Sequence, residues 1–204
     1  MKIQTAEGFT FSVTEVKPCL ADEARVRIIA EADVDLTPIL EILFLYFRNA
    51  NYSSGLACVT TKKAGQTVTV FGSGRVTMTF LLSEQEARDK LVELAHIFSR
   101  AFDYLEKNEP VDSSLVREKE SLSALETHKI LPQTDCGDCE ESGCFAFATL
   151  LVNGERDVDD CGPLKLRENI GLRKALIKLI QPITLDNARE DRSDLAKFLG
   201  LKHT

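Results

Sequence analysis

The sequence predicts an α+β chain: an N-terminal antiparallel sheet with two packed helices, followed by a small helical domain that carries four cysteines. Three observations lead there. Residues 9–81 hold alternating, β-branched runs broken by turn residues. Residues 83–105 hold a long apolar stripe of helical period. Four of the six cysteines then fall between Cys136 and Cys161. The expected division is an α+β domain over 1–105, a charged and partly helical linker over 106–130, and a four-cysteine domain over 131–204. An apolar content of 44% is ordinary for a folded chain and excludes a disordered one.

Taken in order, residues 9–16 and 25–34 alternate as strands do. Asp35 or Thr37 can cap a helix whose first turn holds Pro38, where a missing N–H costs little. This helix runs to about residue 49. It is apolar nearly all round, at Ile39, Leu40, Ile42, Leu43, Phe44, Leu45 and Phe47, and so calls for burial on more than one face. Three strands follow, at 56–61, 67–71 and 75–81. Gly72-Ser73-Gly74 reads as the hairpin turn before the last of them, because it lacks the helix and lysine of a phosphate loop.

Ser83 and Glu86 have capping-box spacing and open the long helix, with Ala87, Leu91, Leu94, Phe98, Phe102 and Leu105 as its stripe. Residues 106–129 turn charged and polar, and 113–125 suit a solvated helix between two units. Beyond the cysteines, Leu172, Ala175, Leu176, Leu179 and Ile180 mark one more amphipathic helix, ended by Pro182. The last stretch is polar apart from a patch at 195–201.

Charge narrows the function classes. A net charge of −7 disfavours nucleic acid and anionic membranes as partners, since both need a basic field. The N-terminus lacks the apolar core of a signal peptide, and the most apolar stretch, 39–47, is interrupted by Glu41 and too short to span a bilayer. A cytoplasmic location is expected, with no membrane association.

The cysteines form the pattern C-x2-C-x4-C-x16-C at Cys136, Cys139, Cys144 and Cys161. Clustered cysteines without a secretory signal point to a metal rather than to a disulfide framework. The first three are close enough for one loop to wrap three corners of a cube, and the fourth returns after a helix. Gly137 and Gly143 allow close approach of the backbone. Cys144 should open a short helix over 144–152 with Gly154 as its stop, setting a helix N-terminus beside an anionic centre. Zinc is the rival, but its ribbons show two paired knuckles, whereas Cys144 and Cys161 stand singly here. The spacing favours a [4Fe–4S] cluster held by all four.

The run from Leu131 through Asp135-Cys136-Gly137-Asp138-Cys139 to Gly143-Cys144-Phe145-Ala146-Phe147-Ala148 resembles the [4Fe–4S] domain of the corrinoid iron–sulfur protein large subunit, with related domains in Rnf-type electron-transport proteins. The resemblance covers residues 131–164. It implies a low-potential cluster on Cys136, Cys139, Cys144 and Cys161, anaerobic metabolism and a redox partner protein. Two departures stand out. Glu140 follows the second cysteine where the family commonly has Gly, and the Pro after the fourth is displaced to Pro163. Seven acidic residues, Asp135, Asp138, Glu140, Glu141, Asp157, Asp159 and Asp160, should lower the potential further if their charge reaches the cluster.

A second resemblance covers residues 23–105. Arg48-Asn49-Ala50-Asn51-Tyr52, the run from Val70 to Val76, and that from Ser83 to Arg88 are similar to one repeat of the TATA-box-binding protein. This implies a curved antiparallel sheet carrying two helices, with Phe71 and a position near Leu56 where that family inserts into the minor groove. Residues 1–105 hold 11 basic against 13 acidic residues, the wrong sign for such a clamp. Since that family pairs two repeats, a homodimer through the N-terminal domain would complete the sheet, and the apolar helix at 39–47 is its sequence support.

The reading that results is one-electron transfer with a protein partner, with no catalytic residues of the chain's own. The alternatives are an accessory role in corrinoid reduction or methyl transfer, a redox-sensing nucleic-acid binder, and a zinc-stabilised interaction module. Cys19 and Cys58 are expected as small buried residues. His96, His128 and His203 are expected outside the ligand set. Arg167, Arg173, Lys174 and Lys178 on the last helix suit either an acidic partner or a solvated face.

Overall fold

The computed structural model describes residues 2–20, 22–63, 65–108 and 110–185. The patch expected at 195–201, and His203, lie outside the described residues. Two compact units result. One comprises the described residues among 1–44, 50–111 and 184–204, the other residues 45–49 and 112–183.

The first unit is built on seven antiparallel strands: β1 Lys2–Gln4, β2 Thr10–Pro18, β3 Val26–Ala32, β4 Ala50–Ser53, β5 Cys58–Lys63, β6 Gln66–Phe71 and β7 Arg75–Leu81. Their order across the sheet is β1-β2-β3-β7-β6-β5-β4. Alternation survives in the burial. Phe11, Ile28, Ala30, Val68, Val70, Val76 and Met78 are buried, while the interleaved Thr67, Thr69, Thr77 and Thr79 are half-buried. On the threonine side Thr60 and Thr69 join hydroxyls across the strands at 3.0 Å.

Both strands that the sequence did not announce are edge strands, β1 and β4. Each is short and held by backbone pairing, Ile3 opposite Phe11 and Tyr52 opposite Val59, so neither needs the apolar alternation that marks a central strand. Gly72-Ser73-Gly74 is the β6–β7 turn. Gly74 has φ +90°, and a Cβ there would stand 2.7 Å from the carbonyl oxygens of Ala32 and Val34.

Helix α1, Leu40–Tyr46, follows a 3-10 turn at Thr37–Ile39. Of the two candidate caps Asp35 acts, its Oδ1 accepting the Thr37 N–H at 2.9 Å. Residues 39–47 are all buried within this single chain except Glu41. The apolar surface of this helix is therefore buried without a second copy and does not by itself call for a homodimer.

Helix α2, Glu84–Lys107, packs on β7 and on the turn before α1. Ser83 Oγ accepts the Glu86 N–H at 3.2 Å, but Glu86 does not return to Ser83. Its carboxylate takes the Leu82 N–H and the Gln66 side-chain amide instead, which ties the helix start to β6. The stripe is buried from Ala87 to Ala101, while its last members, Phe102 and Leu105, are half-buried. Phe9 stacks on Phe102 there, with ring centroids 6.4 Å apart.

The second unit holds α3 Ser113–Glu120, α4 Ala124–Ile130, α5 Cys144–Asn153 and α6 Ile170–Ile180, with 3-10 turns at Val158–Asp160, Pro163–Lys165 and Arg167–Asn169. Its core is Leu131, Phe147, Ala148, Leu151, Val158, Cys161, Leu164, Leu176 and Ile180. The charged stretch expected as a linker supplies α3 and α4, capped by Asp112 and Ser123. Helix α6 is turned relative to its apolar pattern. Leu176 and Ile180 are buried and Leu179 half-buried, but Leu172 and Ala175 are exposed, while Arg173 is half-buried in an ion pair with Asp159.

Candidate metal centre

Residues 131–143 are an irregular loop, and its backbone is unusual. Gln133, Asp135 and Glu140 have φ of +56°, +45° and +63°, and Gly137 lies between them at +76°. Left-handed residues that are not glycine cost about 1–2 kcal/mol each, so three in eight residues mark a loop held for a purpose other than its own stability. The Glu140 position is informative: the residue that the family resemblance expects as Gly stands where Gly is sterically favoured.

The loop ends at α5. Gly143 is its N-cap, and since glycine has no side chain to accept the helix's first N–H groups, Asp135 does so from across the loop: its Oδ1 accepts the Cys144 N–H at 2.6 Å. That hydrogen bond holds the Asp135 carboxyl below the usual carboxylate range. A Cβ on Gly143 would stand 3.1 Å from the same oxygen, which explains the glycine. At its far end α5 stops, as expected, on Gly154 in the left-handed conformation, with φ +79°. A Cβ there would lie 2.6 Å from the Asn49 side chain.

The chain then turns back through Val158–Asp160. Asp157 caps this turn while Asp160 accepts the Asp157 N–H at 2.7 Å, a reciprocal box that ends at Cys161. Arg48 holds the box from outside, its Nη1 reaching both carboxylate oxygens of Asp157 at 2.9 and 3.0 Å.

One cavity results. Its wall is formed by Thr134, Asp135, Cys136, Gly137, Cys139, Gly143, Cys144, Phe147, Cys161, Gly162 and Pro163. All four cysteines of the motif line it. Cys136 is exposed, Cys139 and Cys144 are half-buried against the core, and Cys161 is buried at 6% exposure. Burial pushes the Cys161 thiol up, the other three sulfurs push it further, and the Leu164 backbone opposes them. A cationic centre that accepts thiolates would relieve this. Pro163, displaced by one residue from its expected place, still lines the wall.

The donor set, four cysteine thiols around one cavity, fits a thiolate-held metal centre. A single tetrahedral zinc takes four sulfurs at about 2.3 Å from one point, whereas in a cubane cluster each thiolate takes a different iron.

The acidic surroundings differ from the expectation. Glu141 is paired with Arg156 at 2.6 Å, Asp157 with Arg48 and Asp159 with Arg173 at 2.5 Å. Burial works against the Asp159 carboxylate, but Arg173 outweighs it and holds the group low. Asp135 and Asp160 are spent as caps. Three arginines therefore balance three of the seven carboxylates, and the field expected to depress the potential is reduced. The sequence places Arg48 only within the second resemblance and gives Arg156 no role, because an arginine far along the chain carries no local pattern for pairing with these carboxylates.

The remaining expected residues are not among those lining the cavity. Cys19 and Cys58 are buried, and burial pushes the Cys58 thiol up. His96 Nδ1 lies 2.7 Å from Glu7, and His128 sits edge-on to Phe145 with centroids 5.6 Å apart. In the first unit, Phe71 lies under the Arg75 guanidinium at 5.8 Å, and Leu56 is 72% exposed in the turn before β5. No helix among the described residues is long and apolar enough to cross a membrane.

Residues 131–163 match the family model described as "Putative Fe-S cluster". The chain is also similar to the acetyl-CoA decarbonylase/synthase complex subunit gamma of Methanothermobacter thermautotrophicus, at 38% identity over 63 residues, which is 31% of this chain and 14% of that relative. The same subunit of Methanosarcina acetivorans is 41% identical over 61 residues, 29% of this chain and 13% of the relative. That of Methanocaldococcus jannaschii is 38% identical over 61 residues, 30% of this chain and 12% of the relative. The matched stretch thus spans about one seventh of these relatives' length. No solved structure matches the chain. The likeness supports an iron–sulfur cofactor, and it is a likeness of one segment.

Proposed function

We propose that Cys136, Cys139, Cys144 and Cys161 hold one [4Fe–4S] cluster and that the chain exchanges single electrons with a protein partner. The observation that carries this is the common cavity: four thiols separated by up to 25 positions in sequence line it together. When bound, such a cluster supplies a one-electron redox change. The residues around it have separable tasks. Asp135 fixes the start of α5 and hence Cys144, the Asp157–Asp160 box fixes Cys161, and Phe147 and Pro163 exclude water from one wall. Cys136 is the exposed thiol of the four.

The likeness to subunits of the acetyl-CoA decarbonylase/synthase complex supports work alongside partner proteins in anaerobic metabolism. It also favours, as a second reading, an accessory role in corrinoid reduction or methyl transfer. We read the first unit as a single repeat of the saddle type. Its support is the order of helix, strands and long helix, with four strands between the helices rather than the three expected.

The test is anaerobic purification with assay of iron, sulfide and zinc, and absorption and EPR spectra before and after dithionite. About four irons and four sulfides per chain, with a reducible band near ~400 nm, is the expected result. One zinc without sulfide would replace it with a structural site.

A further inference from the structure

The segment after Cys161 carries charge of the opposite sign to the rest of the chain. Between residues 163 and 183 five basic residues stand against a single acidic one, Glu168, in a chain of net charge −7. The structure sorts these five. Arg173 is consumed by Asp159, and Lys165 acts on the same carboxylate. Arg167, Lys174 and Lys178 are exposed and make no ion pair among the described residues.

These cations share a surface with apolar side chains. Ile170, Lys174 and Lys178 succeed one another at four-residue spacing, so they form one row along α6. Gly171 and Ala175, both exposed and small, lie beside that row. Ile170 is 43% exposed, and Leu166, just ahead of the helix, 51%. Helix α6 belongs to the same unit as the candidate centre: the turn Pro163–Lys165 packs on it, and Pro163 also lines the cavity.

We propose that Arg167, Ile170, Lys174 and Lys178 form the docking face for an acidic protein that carries one electron at a time on an iron–sulfur group, that is, a partner of the ferredoxin class. The inference rests on the reading of the four cysteines as cluster ligands. Charge complementarity selects the partner: a local positive row on an acidic chain steers an acidic protein to this side, while the exposed Asp135, Asp138 and Glu140 repel it from the loop. The exposed Leu166 and Ile170 supply the apolar contact that a protein surface uses and a phosphate backbone does not. Three cations on a chain of this net charge make a weak site for a polyanion. In the exchange the donor is oxidised by one electron and the cluster is reduced by one; no bond forms or breaks and no proton need move.

The experiment uses the full chain purified without oxygen, its Lys174→Glu/Lys178→Glu variant, and a milder Lys174→Gln/Lys178→Gln variant in case the first loses its metal. Oxidised acidic ferredoxin is titrated into each by calorimetry at about 50 and about 500 mM salt. Reduced ferredoxin, and separately dithionite, are then mixed with each in stopped flow. Binding should weaken roughly ten-fold or more with salt and with charge reversal, and less with the Gln pair. Reduction by ferredoxin should slow with binding, while dithionite reduces all forms alike. Equal ferredoxin binding in all three proteins, or none in the wild type, overturns the docking face and leaves the cluster reading intact. Loss of duplex or anionic-vesicle binding in the variants, with ferredoxin binding unchanged, overturns it as well and assigns the face to a polyanion. If dithionite reduces none of the proteins, the electron-transfer reading falls and the docking face falls with it.

Discussion

Arg48 grips Asp157 in a forked contact, with Nη1 at 2.9 and 3.0 Å from its two carboxylate oxygens, while its Nε donates to Gln181 at 3.0 Å. The partners lie 109 positions apart in sequence, and both groups are about three-quarters buried. Asp157 is the residue that caps the turn into Cys161. A short segment from the N-terminal half of the chain, residues 45–49, is thus built into the cluster unit and braces its fourth cysteine.

Breaking that brace should loosen the cysteine it supports. Arg48→Ala or Asp157→Ala is expected to cost about 1.5–3 kcal/mol, the range for hydrogen bonds to charged groups. It should also accelerate loss of the ~400 nm absorbance in the presence of an iron chelator. Denaturant titration together with the bleaching rate checks this. A variant that loses stability but bleaches at the wild-type rate would separate Arg48 from Cys161.

The cysteines should divide into two classes. Serine at Cys136, Cys139, Cys144 or Cys161 is expected to lower iron per chain by more than half. Cys161→Ser should be the most damaging, because it also places a hydroxyl in the core. Cys19→Ser and Cys58→Ser should keep their iron. Iron and sulfide assays on anaerobically purified variants decide it.

Asp135 should matter through its cap. Asp135→Ala leaves the Cys144 N–H without its acceptor, so the start of α5 frays and metal is held less firmly. Because the folded carboxyl titrates below its ordinary value, its contribution is present at neutral pH and fades as the pH falls through the acid range. Stability in denaturant should therefore fall in the wild type as the pH drops from about 5 through the acid range, and fall less in the variant, which starts lower at neutral pH.

Glu140 tests the strained loop. With φ +63°, Glu140→Gly is expected to raise stability by about 0.5–1 kcal/mol, relief of the left-handed conformation outweighing the added freedom of the unfolded chain. Glu140→Ala removes the same charge without that relief. Equal stabilisation by both substitutions would show that charge, not backbone, was responsible.

Lys119 is the one strongly shifted base among the described residues. It is buried, its Nζ donates to the Phe47 carbonyl just beyond α1, and burial lowers its pKa to about 7. Above that value the unfolded chain still binds the proton that the folded chain has lost. Stability should therefore rise with pH from about 7 towards 10, by about 1–3 kcal/mol between pH 7 and 9. Lys119→Met should flatten this slope in denaturant titrations across that interval. An unchanged slope would assign it to another group.

The cysteine spacing, the strand alternation of β2, β3, β5, β6 and β7, and the long stripe of α2 were all legible in the sequence. Each depends on neighbours within a few positions, where periodicity and turn chemistry act directly. Helix α5 was legible for the same reason, bounded by Gly143 and Gly154. Tertiary structure alone decided the rest. The edge strands β1 and β4 exist because backbone groups found partners. The apolar excess of α1 was buried within the chain. The acidic ring was partly neutralised by Arg48, Arg156 and Arg173. Local pattern sets which face of an element is apolar, but which distant charge or backbone group meets it depends on the path of the whole chain. That is why the four thiols were visible at once in the sequence, while the brace holding one of them, Arg48 on Asp157, was not.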